Sequence, residues 1–156
     1  MSFKRSGVID GVVISKCHQF NDERGKVMQM IKSTDEQYLG FGEVYFSAIY
    51  PGVVKGWHKH SSMTLNYVAP IGNIKFVLFD GRDGSPTYGV IQEIYMGPDS
   101  YLLVTVPPNI WNGFKCIGIA TSLVVNCSNI VHNDAEIERM DPFNSHISYD
   151  WGVVHK

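Results

Sequence analysis

Short β-branched and apolar segments recur along this chain, and clusters of Gly, Pro, Asn and Asp separate them. Turn signals such as Tyr50-Pro-Gly52, Pro70-Ile-Gly72 and Gly97-Pro-Asp-Ser100 stand between consecutive segments. About ten short strands at this spacing predict an all-β sandwich or barrel. The predicted strands are residues 8–15, 26–31, 42–50, 53–60, 63–69, 73–80, 88–96, 101–106, 112–117 and 121–126.

Two segments fit short helices better than strands, namely residues 32–39 and 134–140. No linker, internal repeat or low-complexity stretch divides the chain, so residues 1–156 are predicted to form one domain. The tail from Asp141 onward is polar and aromatic, and we expect it to pack over the barrel as loops.

Composition narrows the class of protein. Of the 156 residues, 44% are hydrophobic and 18% are charged, which is typical of a folded, rather apolar globule. The net charge is −2 and no basic patch stands out, which argues against nucleic acid as a partner. The apolar runs are too short to cross a bilayer, and residues 1–7 lack a signal-type apolar stretch. The three cysteines have no CxxC spacing, which favours a reduced, cytoplasmic protein.

The segment Gly52-Val-Val-Lys-Gly-Trp-His-Lys-His60 carries the clearest candidate chemistry. A strand sends alternate side chains to opposite faces, so His58 and His60 are expected to share one face with Val54 and Gly56. Imidazole transfers protons near neutral pH and is also a common metal ligand. The other interpretation is that one or both rings only form structural hydrogen bonds on a barrel wall.

A metal site is the first hypothesis to test for such a pair. The metal signature of cupin jelly-roll barrels is G-x5-H-x-H-x3,4-E-x6-G, followed by P-x-G-x-x-H. Gly52, His58 and His60 match its beginning, but Thr64 or Leu65 stands where Glu is required, and Asn112 stands where the last His is required. Two of the usual ligands are therefore missing, and an amide is a poor ligand for zinc or iron. No metal and no cofactor are predicted.

Five motifs in order resemble those of the dTDP-4-dehydrorhamnose 3,5-epimerase family, whose members are cupin-type barrels that act on nucleotide-linked 4-keto sugars. They are Asp22-Glu-Arg-Gly25, Gly52-Val-Val-Lys-Gly-Trp-His58, Asp80-Gly-Arg-Asp-Gly-Ser-Pro-Thr-Tyr-Gly89, Val106-Pro-Pro-Asn-Ile-Trp-Asn-Gly-Phe114 and, loosely, the stretch from Met140 to Trp151. The resemblance implies a mostly antiparallel, cupin-type jelly-roll barrel that assembles as a homodimer. It also implies a nucleotide-sugar substrate with a 4-keto-6-deoxy hexose.

The resemblance also implies roles for individual residues. His58 stands at the position of the family's base, which removes a proton from the carbon beside the ketone. Arg24 and Lys55 match the family's phosphate-binding positions, although Lys55 faces away from His58 in an ideal strand and needs a bulge to join it. Glu43 falls at a substrate-contacting strand position, from which it could also orient His58, and Tyr45 and Ser47 follow on the same face. The full set of predicted substrate-binding residues is Arg24, Glu43, Lys55, His60, Tyr67 and Asn112.

Several of the family's catalytic helpers have no match here. The lysine that stabilises the enolate should stand near Thr64 or Leu65, the second histidine is Asn112, and the acidic tyrosine aligns near Val125. The aspartate that pairs with the base is expected beyond the end of the chain. These departures leave several functions open. In the first, the protein epimerises one carbon with Tyr45 or Tyr67 as the proton donor. In the second, it catalyses a 3,4-ketoisomerisation with His58 and His60. In the third, the barrel has no catalytic activity and only binds a sugar or nucleotide. A metal-dependent dioxygenase is a further alternative.

Two more residues have mainly structural interpretations. Trp57 is expected to point to the face opposite His58 and to contact the core or another subunit. Asp80 and Arg82 open a turn, where a structural ion pair is the expected role.

Overall fold

Two five-stranded antiparallel sheets pack face to face in the computed structural model, which describes residues 9–153. The strands are β1 (Val13–Lys16), β2 (Gln19–Asp22), β3 (Gly25–Met28), β4 (Glu43–Ile49), β5 (Val54–His60), β6 (Leu65–Ile71), β7 (Ile74–Asp80), β8 (Ile91–Met96), β9 (Leu102–Val106), β10 (Ile110–Cys116), β11 (Ser122–Ser128) and β12 (Ile137–Arg139). The first sheet has the order β1-β9-β6-β11-β4 and the second has the order β12-β5-β10-β7-β8. The predicted jelly-roll fold is confirmed.

Strand periodicity places the core between the sheets. On β7, Ile74, Phe76 and Leu78 are buried in the cluster between the two sheets, whereas Val77 and Phe79 belong to a second cluster outside. Both faces of β7 are therefore covered, which explains its nearly continuous apolar sequence. The outer cluster includes Ile147 and Trp151 from the C-terminal segment, which confirms that this tail packs over the barrel as loops.

Neither predicted helix forms as such. Residues 32–39 form turns, because the backbone N–H of Lys32 donates to the Asp35 carboxylate (2.8 Å) and the N–H of Asp35 donates to the Lys32 carbonyl (3.0 Å). Asp134–Glu136 forms a single 3-10 turn, capped by Asn133. The chain then continues as β12, because its backbone pairs with the edge of β5. The free edge of β5 therefore decides the structure of this segment, and local propensity does not.

The N-terminal strands also differ from the prediction. β1 is shorter and lies later than predicted, and Val8, where that strand was expected to start, lies outside the described residues. β2 was not predicted; it pairs with β3 in a two-stranded hairpin around the Asp22-Glu-Arg-Gly25 turn. Gly25 has φ of +136°, a conformation that side chains with a Cβ rarely adopt.

The turn between β7 and β8 is held by a buried ion pair. Asp80 has no exposed surface and accepts hydrogen bonds from Arg82, Ser85 and Thr87. The predicted structural ion pair of Asp80 with Arg82 is confirmed, with 2.8 Å between Oδ2 and Nη2. Within residues 9–153, none of the helical segments has the length and hydropathy of a membrane span. Cys17, Cys116 and Cys127 are all free thiols.

Candidate functional site

An open cavity of about 390 Å³ lies between the two sheets at the β4 and β5 end. One wall comes from β5, β10 and β12, and the other comes from β4, β6 and β11. The lining residues are Glu43, Tyr45, Ser47, Lys55, His58, His60, Tyr67, Phe114, Val124, Asn126, His132, Ile137 and Arg139. Four of the predicted substrate-binding residues therefore meet in one cavity with His58: Glu43, Lys55, His60 and Tyr67.

A bulge in β5 decides which side chains reach this cavity. His58 pairs with Asn112 and Lys55 pairs with Phe114, so two residues of β5 oppose only Gly113. The extra residue brings Lys55 onto the same face as His58, as expected from the family resemblance. It also turns Val54 to the opposite face, where it packs against the outer cluster, so the prediction that Val54 shares the face of the histidines is wrong.

The two glycines at the bulge allow the strands to approach closely. A Cβ on Gly113 would lie 3.0 Å from the Cα of Gly56 and 3.2 Å from the ring of Trp151. Gly56 therefore allows β5 to approach β10 closely. Trp57 is fully buried against Tyr149 and Trp151, which places it in the outer core.

The environment of His58 disfavours the charged form of its ring. Burial, together with the positive charges of Arg139 and Lys55 and the neighbouring His60, lowers the pKa of His58 to about 4. Among residues 9–153, no carboxylate pairs with its ring. The imidazole is therefore uncharged at neutral pH and can accept a proton.

His60 has a different environment. Its side chain is only 5% exposed, and its Nδ1 contacts the Glu136 carboxylate. The other oxygen of Glu136 accepts hydrogen bonds from the backbone N–H groups of Ser62 (3.1 Å) and Met63 (3.2 Å). Burial alone would raise the pKa of Glu136, but these hydrogen bonds together lower it.

Lys55 connects the two walls of the cavity. Its Nζ donates to Ser47 Oγ and to the Ala48 carbonyl, both at 2.9 Å, across from β5 to β4. Arg139 is the other cation at the cavity, and its only ion pair among the described residues is a 4.0 Å contact with Asp134. Arg139 is thus the cation with fewer protein partners.

Two tyrosines face the histidines from the opposite wall. The Tyr45 hydroxyl oxygen accepts a hydrogen bond from Asn126 Nδ2 (2.8 Å), and the Tyr67 hydroxyl interacts with it. Burial raises the pKa of Tyr67 well above its ordinary value, and the contact with Tyr45 raises it further. The Tyr45 hydroxyl therefore lies at the cavity surface, held by Asn126 and in contact with Tyr67.

Asn112 and Glu43 differ from what their sequence positions suggested. Asn112 lies beside His58 but inside the wall, where its Nδ2 donates to the His58 carbonyl (3.1 Å) and its Oδ1 has no hydrogen-bond partner. Glu43 lines the cavity, yet its carboxylate accepts from the backbone N–H of His132 (3.1 Å) instead of orienting His58.

Arg24, like Asn112, is a predicted site residue that does not line this cavity. It lies on the β2–β3 hairpin, is 85% exposed and pairs with Asp22.

Four polar residues of the site lie outside the sequence motifs described above: Asn126, His132, Glu136 and Arg139. The alternation Ile137-Glu-Arg139 was the available signal, because a strand would put Ile137 and Arg139 on one face. The family's tyrosine position near Val125 falls on the outer face of β11, where Val125 packs with Val68 and Leu103. The cavity position next to it is Asn126.

The donor set of the cavity suits acid–base chemistry. Within residues 9–153, no three His, Cys, Asp or Glu side chains are grouped so that they could hold a metal ion. One wall presents a neutral imidazole and a carboxylate-bound imidazole, and the other presents a phenol. This arrangement can remove a proton from one side of a bound molecule and supply one from the other side.

Comparison with known proteins gives a consistent group of relatives. The sequence profile of the dTDP-4-dehydrorhamnose 3,5-epimerase family matches residues 6–156. The spore coat polysaccharide biosynthesis protein SpsL of Bacillus subtilis is 28% identical over 148 residues, which cover 94% of this chain and 98% of SpsL. The probable low-salt glycan biosynthesis epimerase Agl13 of Haloferax volcanii is 34% identical over 131 residues, which cover 83% of this chain and 81% of Agl13. The crystal structure of a dTDP sugar isomerase from Desulfovibrio desulfuricans G20 superposes on this structure with a TM-score of 0.89. The two chains are 39% identical, and the superposition covers 92% of each.

Proposed function

Since the chain belongs to the dTDP-4-dehydrorhamnose 3,5-epimerase family, we propose that it epimerises or isomerises a 4-keto-6-deoxy hexose linked to a nucleoside diphosphate. The observation that carries this proposal is the pair formed by the neutral His58 and the Tyr45 hydroxyl on opposite walls of one cavity. Epimerisation beside a ketone needs such a pair, because the proton leaves one face of the sugar and returns on the other.

The steps follow from these positions. The His58 imidazole takes the proton from the carbon beside the ketone, and the electron pair of that bond forms an enolate. The phenol of Tyr45 then gives a proton to the same carbon from the opposite wall. Solvent returns the proton of His58 to Tyr45 and resets the site.

Deuterium exchange tests this function directly. The protein should incorporate deuterium from heavy water at a carbon beside the ketone of a dTDP-, CDP-, UDP- or GDP-linked 4-keto-6-deoxy hexose. Binding of these compounds without exchange of any of them would replace the proposal by that of a sugar- or nucleotide-binding barrel without catalysis.

The neighbouring histidines support ketoisomerisation as a second candidate. His58 and His60 lie on one wall, and from there two imidazoles can serve adjacent carbons on the same face of a sugar. NMR identification of the product separates the two reactions, because epimerisation keeps the ketone at its carbon and isomerisation moves it.

Replacing Tyr45 by phenylalanine should separate proton removal from proton return. We expect deuterium exchange at the substrate carbon to persist, whereas formation of the epimer falls roughly 100-fold, the lower end of what a positioned acid contributes. NMR of the reaction mixture in heavy water measures both rates. Tyr50→Phe is the matched control, because Tyr50 is exposed on a turn outside the cavity. Equal loss of both rates in Tyr45→Phe would contradict the role of Tyr45 as acid.

We further propose that two copies of the chain form a homodimer in which the β2–β3 hairpin reaches the partner's cavity. The hairpin exposes Phe20 and Val27 as well as Arg24, so a partner would cover apolar surface there. A strict monomer in light scattering at micromolar concentration would contradict this arrangement.

Replacing Arg24 by alanine should weaken binding of the nucleotide by about 2 kcal/mol, or roughly 30-fold in Kd, because a charge-assisted contact with the diphosphate is lost. Calorimetric titration with dTDP and with UDP measures this change. Lys26→Ala removes a positive charge from the same hairpin and is the control. An unchanged affinity in Arg24→Ala would remove Arg24 from the phosphate site.

A further inference from the structure

The carboxylate behind His60 points to a role that the proposed function leaves unassigned. Glu136 and His60 are distant in the sequence, yet their side chains meet at the cavity wall, and both are almost fully buried. An ionised carboxylate only accepts hydrogen bonds, so the Nδ1 of His60 must carry a proton and donate it to Glu136. The nitrogen left for the cavity is therefore Nε2.

Glu136 is itself fixed in place. Its second oxygen accepts from the N–H groups of Ser62 and Met63, which follow β5 directly. The 3-10 turn that carries Glu136 is in turn tied to β12, and β12 pairs with β5 at His58 and His60. The orientation of the His60 ring is therefore set by several independent contacts and not by a single surface ion pair.

The reaction needs a donor for the negative charge that develops on the ketone oxygen. Thr64 and Leu65, where the family resemblance predicts a lysine, are both buried, and Leu65 belongs to the core. Lys55 already donates to Ser47 and Ala48 on the opposite wall. The ketone carbon is bonded directly to the carbon that loses its proton. The hydrogen-bond donor to the ketone oxygen should therefore lie close to the base. His60 lies two residues from His58 on the same face.

We propose that His60 donates a hydrogen bond from Nε2 to the ketone oxygen as the enolate forms, and that Glu136 is the positioning residue that makes this possible. This inference rests on the proposed function. In the step, His58 takes the proton, the electrons of the C–H bond form the carbon–carbon double bond, and the carbonyl electron pair moves to oxygen. The proposal takes His60 as the imidazolium partner of the Glu136 carboxylate, because a neutral ring that donates Nδ1–H to Glu136 has no proton on Nε2. Both ring protons stay on His60 during the step.

A double-mutant cycle tests the coupling of the two residues. Glu136→Gln should lower kcat for deuterium exchange about tenfold with little change in KM, and His60→Asn should lower kcat about 100-fold, in the range for loss of one oxyanion donor. The double variant should be no slower than His60→Asn, because Glu136 acts only through His60. Losses that multiply in the double variant would overturn the proposal, since a merely structural Glu136 predicts them.

Glu138→Gln is the matched control. It replaces a glutamate by glutamine two residues away from Glu136. Glu138 pairs with Lys59 on the surface (3.0 Å) and lies outside the cavity. Its exchange rate should equal that of the wild type. Glu136→Asp keeps the charge and should recover part of the rate lost in Glu136→Gln, and an Asp variant as slow as Gln would count against positioning by charge.

A spectroscopic measurement makes the test independent of turnover and of the folding of variants. Nitrogen-15 NMR of the histidine rings in the wild-type protein should show protons on both Nδ1 and Nε2 of His60. An unprotonated Nδ1 or Nε2 would overturn the inference. If the wild type exchanges no deuterium, the proposed function fails. If it exchanges and His58→Ala does not, while Glu136→Gln behaves like the wild type, only the role of Glu136 fails.

Discussion

Replacing His58 by alanine should lower the rate of deuterium exchange at the substrate carbon by at least about 100-fold, the contribution of a positioned general base. The loss should appear in kcat, because the imidazole acts on the reacting proton and contributes little to binding. NMR or mass spectrometry of the substrate in heavy water measures the rate. The fold should be unchanged, since the ring lines an open cavity.

His18→Ala is the control for His58→Ala, because His18 lies outside this cavity and its loss should leave the rate unchanged. The pH profile of the wild type offers a second check. Because the pKa of His58 is lowered to about 4, the free enzyme keeps this base unprotonated as the pH falls from about 7 to about 5. A loss of kcat/KM centred at the ordinary histidine value would mean that a less buried imidazole is the base.

Replacing Asp80 by alanine should lower the free energy of unfolding by about 3–5 kcal/mol, because removing one partner of a buried ion pair leaves the other uncompensated. The carboxylate accepts five hydrogen bonds, three from Arg82 and one each from Ser85 and Thr87. Arg82 also donates to the Asp10 carbonyl, so the change should loosen the contact of this turn with the N-terminal segment. Urea unfolding followed by tryptophan fluorescence measures the effect.

Asp83→Ala is the matched control in the same turn, because Asp83 is exposed and its loss should change stability little. The pKa of Asp80 determines how its contribution to stability changes with pH. Burial alone would raise the pKa of Asp80, but the hydrogen bonds of Arg82, Ser85 and Thr87 lower it well below its ordinary value of 3.8. Its contribution is therefore complete above about pH 4 and is lost as the pH falls further. The gap in stability between wild type and Asp80→Ala should narrow in that acidic range, and a gap independent of pH would contradict the ion pair as its cause.

The placement of His58 could be predicted from the sequence, but its environment could not. The motif around Gly52 and His58 fixed a strand and a candidate base. The lowered pKa of His58 comes from burial and from Arg139, which lies on a strand that pairs with β5 only in the folded chain. Glu136 likewise reaches His60 across 76 positions of sequence, and no local pattern carries such a contact.

The amino-acid sequence by itself determined the all-β architecture, because apolar segments with turn residues between them admit few other folds. It also determined the family and the pair of histidines, since both are recognised from residues that lie close together in the sequence. Tertiary structure decided which side chains share the cavity. One extra residue in β5 puts Lys55 on the face of His58 and Val54 on the opposite face. Pairing with β5 makes a segment that was predicted to be helical into the strand that carries Arg139. Both outcomes depend on hydrogen bonds between strands that are distant in sequence, and their free energy outweighs local preference.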